Sequence, residues 1–333
     1  MRINREKLLE QLESVMPGLS PREIIQQSSC FIFKKKKVVT YNDEIACTQD
    51  CLLPFEGAVQ AKPLIDILRK LKEDTIEVDT KDGELLIKGK NKRMGITMDA
   101  EILLPIETVE NPEEWANLPD DFADAISIVQ HCASGDETRF ALTCIHLHPK
   151  WIESCDAHQA ARYMTEMPIE KPILVRKDSI KYIVSLDMTE ISETESWVHF
   201  RSPANLILSC RRWEEDFPEL TDILKVTGTP TQFPKGLVDA IDKAQVFSTE
   251  NAEENQITIE LQPDKLRITG RGVNGYYKEI TQIKYKGKPL AFQIAPQLLA
   301  DLIKRHNSCE ILIDKIKVAA GKYTYVSVLQ AKE

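Results

Sequence analysis

The run Gly270-Arg271-Gly272-Val273-Asn274-Gly275 has the Gly-x-Gly-x-x-Gly spacing that can cradle the pyrophosphate of a dinucleotide. That chemistry needs a helix directly after the last glycine, because the N-terminus of the helix holds the phosphates. The residues that follow, Tyr276-Tyr277-Lys278-Glu279-Ile280, alternate as a β-strand does. The glycines are therefore predicted to form a hairpin turn, and no cofactor is expected.

Histidine and cysteine residues of the central region are the types that bind zinc. His146 and His148 would share one face of a strand, and Cys155 and His158 follow closely. Their spacing matches no common structural zinc site, so no metal is expected.

Asp43 and Glu44 are adjacent carboxylates of the kind used in acid–base catalysis. Asp43 stands at a turn that we interpret as the equivalent of the turn at Asp156, so a structural Asx turn is the preferred interpretation. The sequence holds no Gly-x-Ser-x-Gly, His-Glu-x-x-His or Walker-type motif. A hydrolase or nucleotide-binding enzyme is therefore a weak rival interpretation.

The composition indicates a folded protein of several domains. At 333 residues the chain suits two or three domains, and 42% hydrophobic residues are enough to build their cores. The net charge of −9 confines any contact with DNA to a local basic surface. The opening residues lack the apolar core of a signal peptide, and the eight cysteines include no Cys-x-x-Cys pair, so a cytoplasmic protein with buried, reduced thiols is expected.

An internal repeat organises the chain. The matching residues, at one constant offset of 115, are Pro119 and Pro234, Asp124-Ala125-Ile126 and Asp239-Ala240-Ile241, and Gln130 and Gln245. Apolar residues at i, i+4 and i+7 after each proline predict an amphipathic helix. Leu8, Leu12 and Val15 predict a similar helix at the N-terminus, with Asn4 as its N-cap.

Each of these helices leads into strands, a second helix and a closing hairpin. The strands are predicted at 29–33 and 38–41, at 140–148 and 151–154, and at 257–261 and 266–269, and one closing hairpin turns at Asp82-Gly83. The second helices begin near Lys62, Arg176 and Ala295. The expected fold class is α+β, with two helices packed on an antiparallel sheet in each of three domains, 1–112, 113–227 and 228–333.

The chain resembles the β sliding clamp of bacterial DNA polymerase III along its whole length. Cys155-Asp156-Ala157-His158 stands where that family has a Thr-Asp-Gly-His type of turn, and Val175-Arg176-Lys177 stands where it has Pro-Arg-Lys. Asp216-Phe217-Pro218-Glu219-Leu220 resembles the Phe-Pro-Asp-Tyr linker of the family, and 325–329 resembles its closing strand.

The resemblance implies the DNA clamp fold, with two three-domain subunits joined head to tail in a closed ring. Such a ring is a non-catalytic processivity factor of DNA replication. It encircles double-stranded DNA regardless of sequence and tethers a DNA polymerase. The implied partners also include the clamp loader, other proteins with a clamp-binding motif and a second copy of the chain, but no membrane. The alternative is a clamp-fold interaction platform that no longer encircles DNA.

Basic residues recur on the second helices, where the resemblance implies the DNA-lined hole. Contacts to phosphates carry little sequence information and weaken with salt, as sliding requires. The predicted DNA-facing residues are Arg22, Lys62, Arg69, Arg176, Lys177, Lys181, Lys304 and Arg305. The run Lys34-Lys35-Lys36-Lys37, at a hairpin turn, is either a nucleic-acid patch or a solubilising turn.

The resemblance also implies an apolar pocket for partner peptides between the second and third domains. Its residues here are Leu142, Cys155, Ala157, His158, Gln159, Ala160, Pro218, Ile223, Val326, Val328 and Leu329, which could equally be core residues. Gln159 and Asp222 replace the usual arginines, and the tail Gln330-Ala331-Lys332-Glu333 replaces Met-Pro-Met. An unusual peptide motif is therefore expected.

The ring contact implied by the resemblance joins the first domain of one subunit to the third domain of its partner. An apolar cluster suits such a contact. The matching residues are Ile67, Leu71, Met94 and Ile96 on the first domain and Val246 and Phe247 on the third, and these too could be ordinary core residues.

Overall fold

The computed structural model of the chain describes residues 1–51, 53–234, 236–248 and 256–331, without the side chains of Leu298, Arg305, Gln330 and Ala331. Lys235, in the third repeat, and Lys332 and Glu333, in the tail, lie outside these ranges. The α-helices of the described part are α1 (Arg5–Ser14), α2 (Ala61–Lys70), α3 (Phe122–Val129), α4 (Lys177–Ile180), α5 (Ile183–Leu186), α6 (Thr221–Leu224), α7 (Leu237–Ser248) and α8 (Pro296–Arg305).

The strands pair in antiparallel fashion. In chain order they are β1 (Arg2–Asn4), β2 (Cys30–Lys34), β3 (Lys37–Tyr41), β4 (Ile45–Asp50), β5 (Gly57–Gln60), β6 (Thr75–Lys81), β7 (Glu84–Gly89), β8 (Lys92–Asp99), β9 (Ala116–Asn117), β10 (Cys144–His148), β11 (Trp151–Cys155), β12 (Gln159–Met164), β13 (Ile173–Arg176), β14 (Glu190–Glu193), β15 (Trp197–Arg201), β16 (Ile207–Trp213), β17 (Thr229–Gln232), β18 (Ile257–Gln262), β19 (Lys265–Gly272), β20 (Gly275–Gln282), β21 (Leu290–Ile294), β22 (Ser308–Ile311), β23 (Lys315–Ala320), β24 (Tyr323–Val328) and β25 (Gln330–Ala331).

The first helix of each repeat forms where the sequence predicts it. The Asn4 side chain accepts a hydrogen bond of 2.8 Å from the backbone N–H of Lys7, which caps α1 as expected. Leu8 and Leu12 are the buried face of α1. The repeated Ala-Ile pair is buried in both α3 and α7, so the same residues anchor the helix to its core in both repeats.

The second helix is continuous in the first and third repeats and interrupted in the central one. The helices α2 and α8 begin close to the predicted starts, and Pro296 occupies the first turn of α8. In the central repeat two short helices, α4 and α5, replace one. The aromatic and β-branched side chains of Tyr182, Ile183 and Val184 disfavour an uninterrupted helix there.

The chain divides into two compact units. The first comprises residues 1–130, 144–150 and 165–215, and the second comprises 131–143, 151–164 and 216–333. Strands of the first unit form the antiparallel series β1-β6-β7-β8-β5-β2-β3-β4-β16-β15-β14-β9, and β16 also pairs with β13, which pairs with β10. Fully buried Trp197 lies in a core cluster of this unit with Ile32 and Tyr41.

The second unit contains two antiparallel sheets. Their strand orders are β20-β19-β18-β21-β25 and β11-β12-β24-β23-β22-β17. The helix α7 packs on β19, where a Cβ atom on Gly270 would lie 1.9 Å from the carbonyl oxygen of Ala244. Gly270 is thus explained by close helix–sheet packing.

The Gly-x-Gly-x-x-Gly run is the hairpin that the sequence predicts. Gly272 and Gly275 are paired across the β19–β20 turn, and the φ of Gly275 is +151°. A strand follows the last glycine, so the helix that a dinucleotide site requires is absent at this place.

One predicted strand begins later than expected. Residues 140–143, predicted as part of a strand, belong to the 3₁₀ helix Glu137–Thr143, and β10 starts at Cys144. The segment is interrupted at Arg139 (φ −120°, ψ 74°), and beyond this break the Thr143 hydroxyl donates a hydrogen bond of 2.8 Å to the Phe140 carbonyl, a local bond that competes with the strand. Across the described ranges, no helix is long and apolar enough to cross a membrane.

Candidate functional site

An apolar cluster around α6 lies within the second unit. Buried Cys155 and Ala160 of the β11–β12 hairpin pack with Val326 of β24 and with Leu220 and Leu224 of α6. We call this group, with the partly buried side chains packed on it, the α6 cluster; these are Leu142, Phe217 and Val226.

The α6 cluster contains four of the residues predicted for the partner-peptide pocket. They are Leu142, Cys155, Ala160 and Val326. Ala157, His158 and Pro218 are exposed, Gln159 is half-buried and Leu329 is buried. Ile223 of α6 and Val328 of β24 keep 45% and 44% of their surface exposed.

Sequence reasoning missed part of this cluster. Leu220 and Leu224 were not among the predicted pocket residues, although their i, i+4 spacing indicates one face of a helix turn. Phe217 and Val226, on either side of α6, were missed as well.

The loop before β12 is a rigid Asx turn. The Asp156 carboxylate accepts hydrogen bonds of 2.7 and 2.8 Å from the N–H groups of His158 and Gln159. The Gln159 amide donates to the His131 carbonyl at 3.2 Å and accepts from the Tyr325 hydroxyl at 3.1 Å. Gln159 is therefore fixed in place, where the family has a cationic arginine.

Arg162 joins α6 to the β11–β12 hairpin. Its Nε is 2.6 Å from the Glu153 carboxylate, and its side chain is only 12% exposed against 3% for Glu153. The guanidinium also stacks 4.4 Å above the Trp151 ring and donates to the Thr221 hydroxyl at 3.2 Å. Glu219, just before α6, lies 3.6 Å from the same guanidinium. Sequence reasoning gave Arg162 no role.

The turn at residues 42–45 repeats this Asx geometry in the first unit, and it corrects the sequence interpretation. Asn42, and not Asp43, is the capping residue, because its side-chain oxygen accepts from the N–H groups of Glu44 and Ile45 at 3.2 and 2.9 Å. Asp43 has a φ of +76° and lies 2.7 Å from the Arg211 guanidinium. Both carboxylates are thus used in a structural turn and its ion pairs.

Ion pairs within the described part of the chain engage four of the predicted DNA-facing cations. The pairs are Lys62 with Asp66 at 2.9 Å, Arg69 with Glu13 at 2.7 Å, Arg176 with Glu44 at 3.3 Å and Lys181 with Asp178 at 3.0 Å. The hydrogen bond from Lys181 lowers the pKa of Asp178. Arg22 and Lys304 are exposed and Lys177 is half-buried, whereas the Arg305 side chain is outside the described part.

The residues predicted at the subunit contact lie beside two edge strands. Met94 and Ile96 are on β8, whose segment 92–97 pairs with β7 alone among the described residues. Phe247 packs beside Gly275 at the start of β20, and β20 pairs only with β19 in the described part. Val246 is 65% exposed. Ile67 is half-buried and Leu71 is buried.

The structure assigns the cysteines to the interior. All eight cysteines are buried, as the sequence predicts, and burial raises the pKa of the Cys47 and Cys155 thiols to about 12. Among the described residues, no group of three or more His, Cys, Asp or Glu side chains could hold a metal ion.

Comparison with known proteins gives one consistent result. No protein-family model matches the chain. The Beta sliding clamp of Rickettsia felis is 25% identical over 281 residues, which are 75% of this chain and 73% of that protein. The sliding clamp from Pseudomonas aeruginosa bound to griselimycin superposes with a TM-score of 0.84 at 16% identity, covering 100% of this chain and 99% of that one.

Other solved clamps agree over the same length. The DNA polymerase III β chain of Streptococcus pneumoniae gives a TM-score of 0.84 at 16% identity with 99% of both chains covered. That of Thermotoga maritima gives 0.83 at 14% identity, covering 100% of this chain and 99% of the other. The predicted resemblance is confirmed, and the fold of the chain is the sliding-clamp fold.

Proposed function

We propose that this chain is a DNA sliding clamp, a non-catalytic processivity factor that closes head to tail with a second copy around double-stranded DNA. The observation that carries the proposal is the match in fold to sliding clamps over 99–100% of both chains at a TM-score of 0.84. Three domains, 1–112, 113–227 and 228–333, with boundaries at turn-rich segments, would each supply two helices to the ring. A cytoplasmic DNA polymerase and its clamp loader are the proposed partners.

We propose that the α6 cluster receives the peptide motifs of these partners. Ile223 and Val328 expose apolar surface beside a buried floor of small and branched side chains, an arrangement that suits an apolar peptide anchor. Gln159 is neutral and hydrogen-bonded on both ends of its amide, and Asp222 is acidic. The motif is therefore expected to lack the acidic group that an arginine would select.

The two edge strands support a closed dimer. β8 and β20 each present unpaired backbone groups along one edge in the described part, and each carries predicted contact residues or lies beside them. Joining β8 of one copy to β20 of the other would extend both sheets and leave neither edge open. Because the two surfaces differ, the contact is heterologous. It closes into a ring when the rotation that relates one copy to the next returns to the first copy.

The ion pairs formed by Lys62, Arg69, Arg176 and Lys181 favour one alternative. A cation already paired to a carboxylate neutralises less phosphate charge, so the DNA-facing surface is less attractive than its lysine and arginine count indicates. The alternative is a clamp-fold platform that binds proteins and no longer encircles DNA.

Topological retention distinguishes the two functions. Diluted protein would be concentrated in the presence of nicked circular plasmid, so that dimers reform around the DNA without a loader, and then separated by gel filtration in high salt. A clamp stays with the circle and is released when a restriction enzyme linearises it. If the protein remains a dimer but elutes separately from the intact circles, it does not encircle DNA, and the platform function is the correct one.

A further inference from the structure

The tip of the β2–β3 hairpin holds two lysines in a backbone conformation that lysine rarely adopts. Lys35 and Lys36 have φ values of 49° and 61°, both in the left-handed region. Two such residues in succession make a type I′ turn, for which Asn-Gly is the favoured pair. Side chains with a Cβ atom are strained there, so local folding does not explain the choice of two lysines.

The repeats provide an internal control for this turn. The equivalent hairpin turns are Pro149-Lys150 in the central repeat and Pro263-Asp264 in the third. Both connect antiparallel strands of the same fold, with one basic residue in the first case and an acidic one in the second. The scaffold therefore does not require a basic tip, and the two lysines of the first repeat need another reason.

The charges around the hairpin are divided between its base and its tip. Lys34 lies 2.5 Å from the Glu107 carboxylate and, with a smaller contribution from Lys35, lowers the pKa of Glu107. Lys37 stands opposite Asp50 in the β3–β4 register, and Glu56 accepts a hydrogen bond from the backbone N–H of Lys35 at 3.3 Å. Within the described ranges, neither the Lys35 nor the Lys36 ammonium has an ion pair, and both residues are exposed.

We infer that Lys35 and Lys36 form a binding point for the phosphate backbone of duplex DNA, in addition to the basic residues of the second helices. The inference rests on the proposed function, which brings duplex DNA to this chain. Two unpaired ammonium groups on a projecting turn gain by releasing the counterions of phosphates, and such contacts are blind to sequence. The strained turn holds both charges at the tip of the hairpin.

The test compares three double variants of the full-length chain on a fluorescein-labelled linear duplex, with binding measured by anisotropy across a salt series. K35N/K36G supplies the favoured turn residues and removes both charges, and K35R/K36R keeps the charges. K150Q/K265Q is the matched control, because it removes Lys150 from the turn of the central repeat and Lys265 from the strand residue that follows the turn of the third. For K35N/K36G we expect the slope of log K against log salt to fall by roughly 2, at about 0.9 per phosphate contact. The melting temperature of this variant should rise by about 2–4 °C as the strain is relieved.

The inference is supported if K35R/K36R and K150Q/K265Q keep the wild-type slope of log K against log salt, while the slope for K35N/K36G falls by roughly 2. It is overturned if K35N/K36G binds the duplex as the wild type does, or if the control loses as much. Binding to vesicles containing about one third phosphatidylserine is measured for the same variants. If K35N/K36G loses binding to these vesicles while its slope for DNA is unchanged, the tip binds a membrane surface instead, and the inference is overturned. Retention of the wild type on nicked circles tests the proposed function separately, so the two failures can be told apart.

Discussion

His199 is a buried histidine that makes stability depend on pH. Its ring nitrogens lie 2.8 Å from the Ser209 hydroxyl and 3.0 Å from the Thr194 hydroxyl, and the residue is 0% exposed. Burial lowers the pKa of His199 from 6.5 to about 4, partly opposed by the charge of Glu110. Between these values the unfolded chain binds a proton that the folded protein does not, so the free energy of unfolding falls as the pH falls through this window.

Replacing His199 with glutamine, which keeps a donor and an acceptor, should remove this dependence. The wild type should lose up to about 3 kcal/mol relative to the variant between pH 6.5 and pH 4, with no difference in slope above pH 7. Urea unfolding at pH 7.5, 5.5 and 4.5 measures it. Parallel curves for the two proteins over this range would mean that His199 does not titrate differently in the folded state.

The hydrogen bond between the Tyr325 hydroxyl and the Gln159 side chain can be tested in the same way. The Tyr325 hydroxyl is buried and donates to the Gln159 side chain, so Gln159→Ala leaves a buried donor without its acceptor. We expect a loss of about 1–3 kcal/mol in the free energy of unfolding. The same change in a Tyr325→Phe background should cost clearly less, because the donor is gone. Equal costs in both backgrounds would show that the hydrogen bond is not the cause.

Individual residues of the site could be predicted only in part from the sequence. Asp43 was predicted at an Asx turn, but the neighbouring Asn42 is the capping residue, because both residue types favour turns and only the hydrogen bonds distinguish them. No role was predicted for Arg162, because its cross-strand ion pair with Glu153 depends on the strand register, which the sequence does not show. The buried face of α6 was missed because a helix of four residues is too short to show a helical periodicity in the sequence.

At the scale of elements, Arg162 pairs with Glu153 across the β11–β12 hairpin and joins this hairpin to α6 through its hydrogen bond to Thr221. Arg162→Met should cost about 3–5 kcal/mol in the free energy of unfolding, because it leaves the Glu153 carboxylate buried without its counter-charge. Glu153→Leu combined with Arg162→Met should recover most of that loss, since apolar side chains can replace a buried ion pair. Urea unfolding of the two variants measures the difference.

The α6 helix itself provides the second readout. Without the Arg162 hydrogen bond to Thr221, the amides of Leu224 and Lys225 should exchange faster with solvent in the recovered double variant than in the wild type. Thr221→Val is the matched control, because it removes this hydrogen bond and leaves the ion pair intact. Wild-type exchange in both variants would show that α6 is held by apolar packing alone.

Periodicity explains which elements the sequence could predict. The helices α1, α3 and α7 bury residues at regular helical spacing, and the β6–β7 hairpin has an Asp-Gly turn, so local patterns were sufficient. The 3₁₀ helix 137–143 contains β-favouring residues and is set by side-chain caps, which compete with the strand pattern. Local side-chain hydrogen bonds, rather than strand propensity, decided that segment.

At the scale of the whole molecule, the fold could be predicted because three repeats carry the same pattern. The charge of the surface that we propose faces DNA could not be predicted, because the ion pair between Arg176 and Glu44 joins residues far apart in sequence. For Arg176→Gln, Lys177→Gln and Lys304→Gln combined, we expect the slope of log K for duplex DNA against log salt to fall by up to about 2.7. A smaller change is expected if the pairing of Arg176 persists in the complex. An unchanged slope would show that these three residues do not contact DNA.

The proposed ring closure is the remaining property of the whole molecule, and it assigns the subunit contact to the apolar residues beside the edge strands. Val246 is 65% exposed in the single chain and Phe247 packs at the start of β20, so both are placed to be buried by a second copy. Truncating aromatic and branched anchors at an interface typically costs about 1–2 kcal/mol or more each. We therefore expect Val246→Ala with Phe247→Ala to raise the dimer dissociation constant by roughly 100-fold or more.

Sedimentation equilibrium over a concentration series measures this constant. Val273→Ala is a matched control, because Val273 is 82% exposed at the tip of the β19–β20 turn and was not predicted at the contact. The melting temperature of the double variant, measured at a concentration where the wild type is monomeric, separates a weakened contact from a weakened fold. A dimer constant that matches the wild type would place the subunit contact elsewhere. If the constant rises and retention on circular DNA is lost with it, the same two side chains close the ring that holds the DNA.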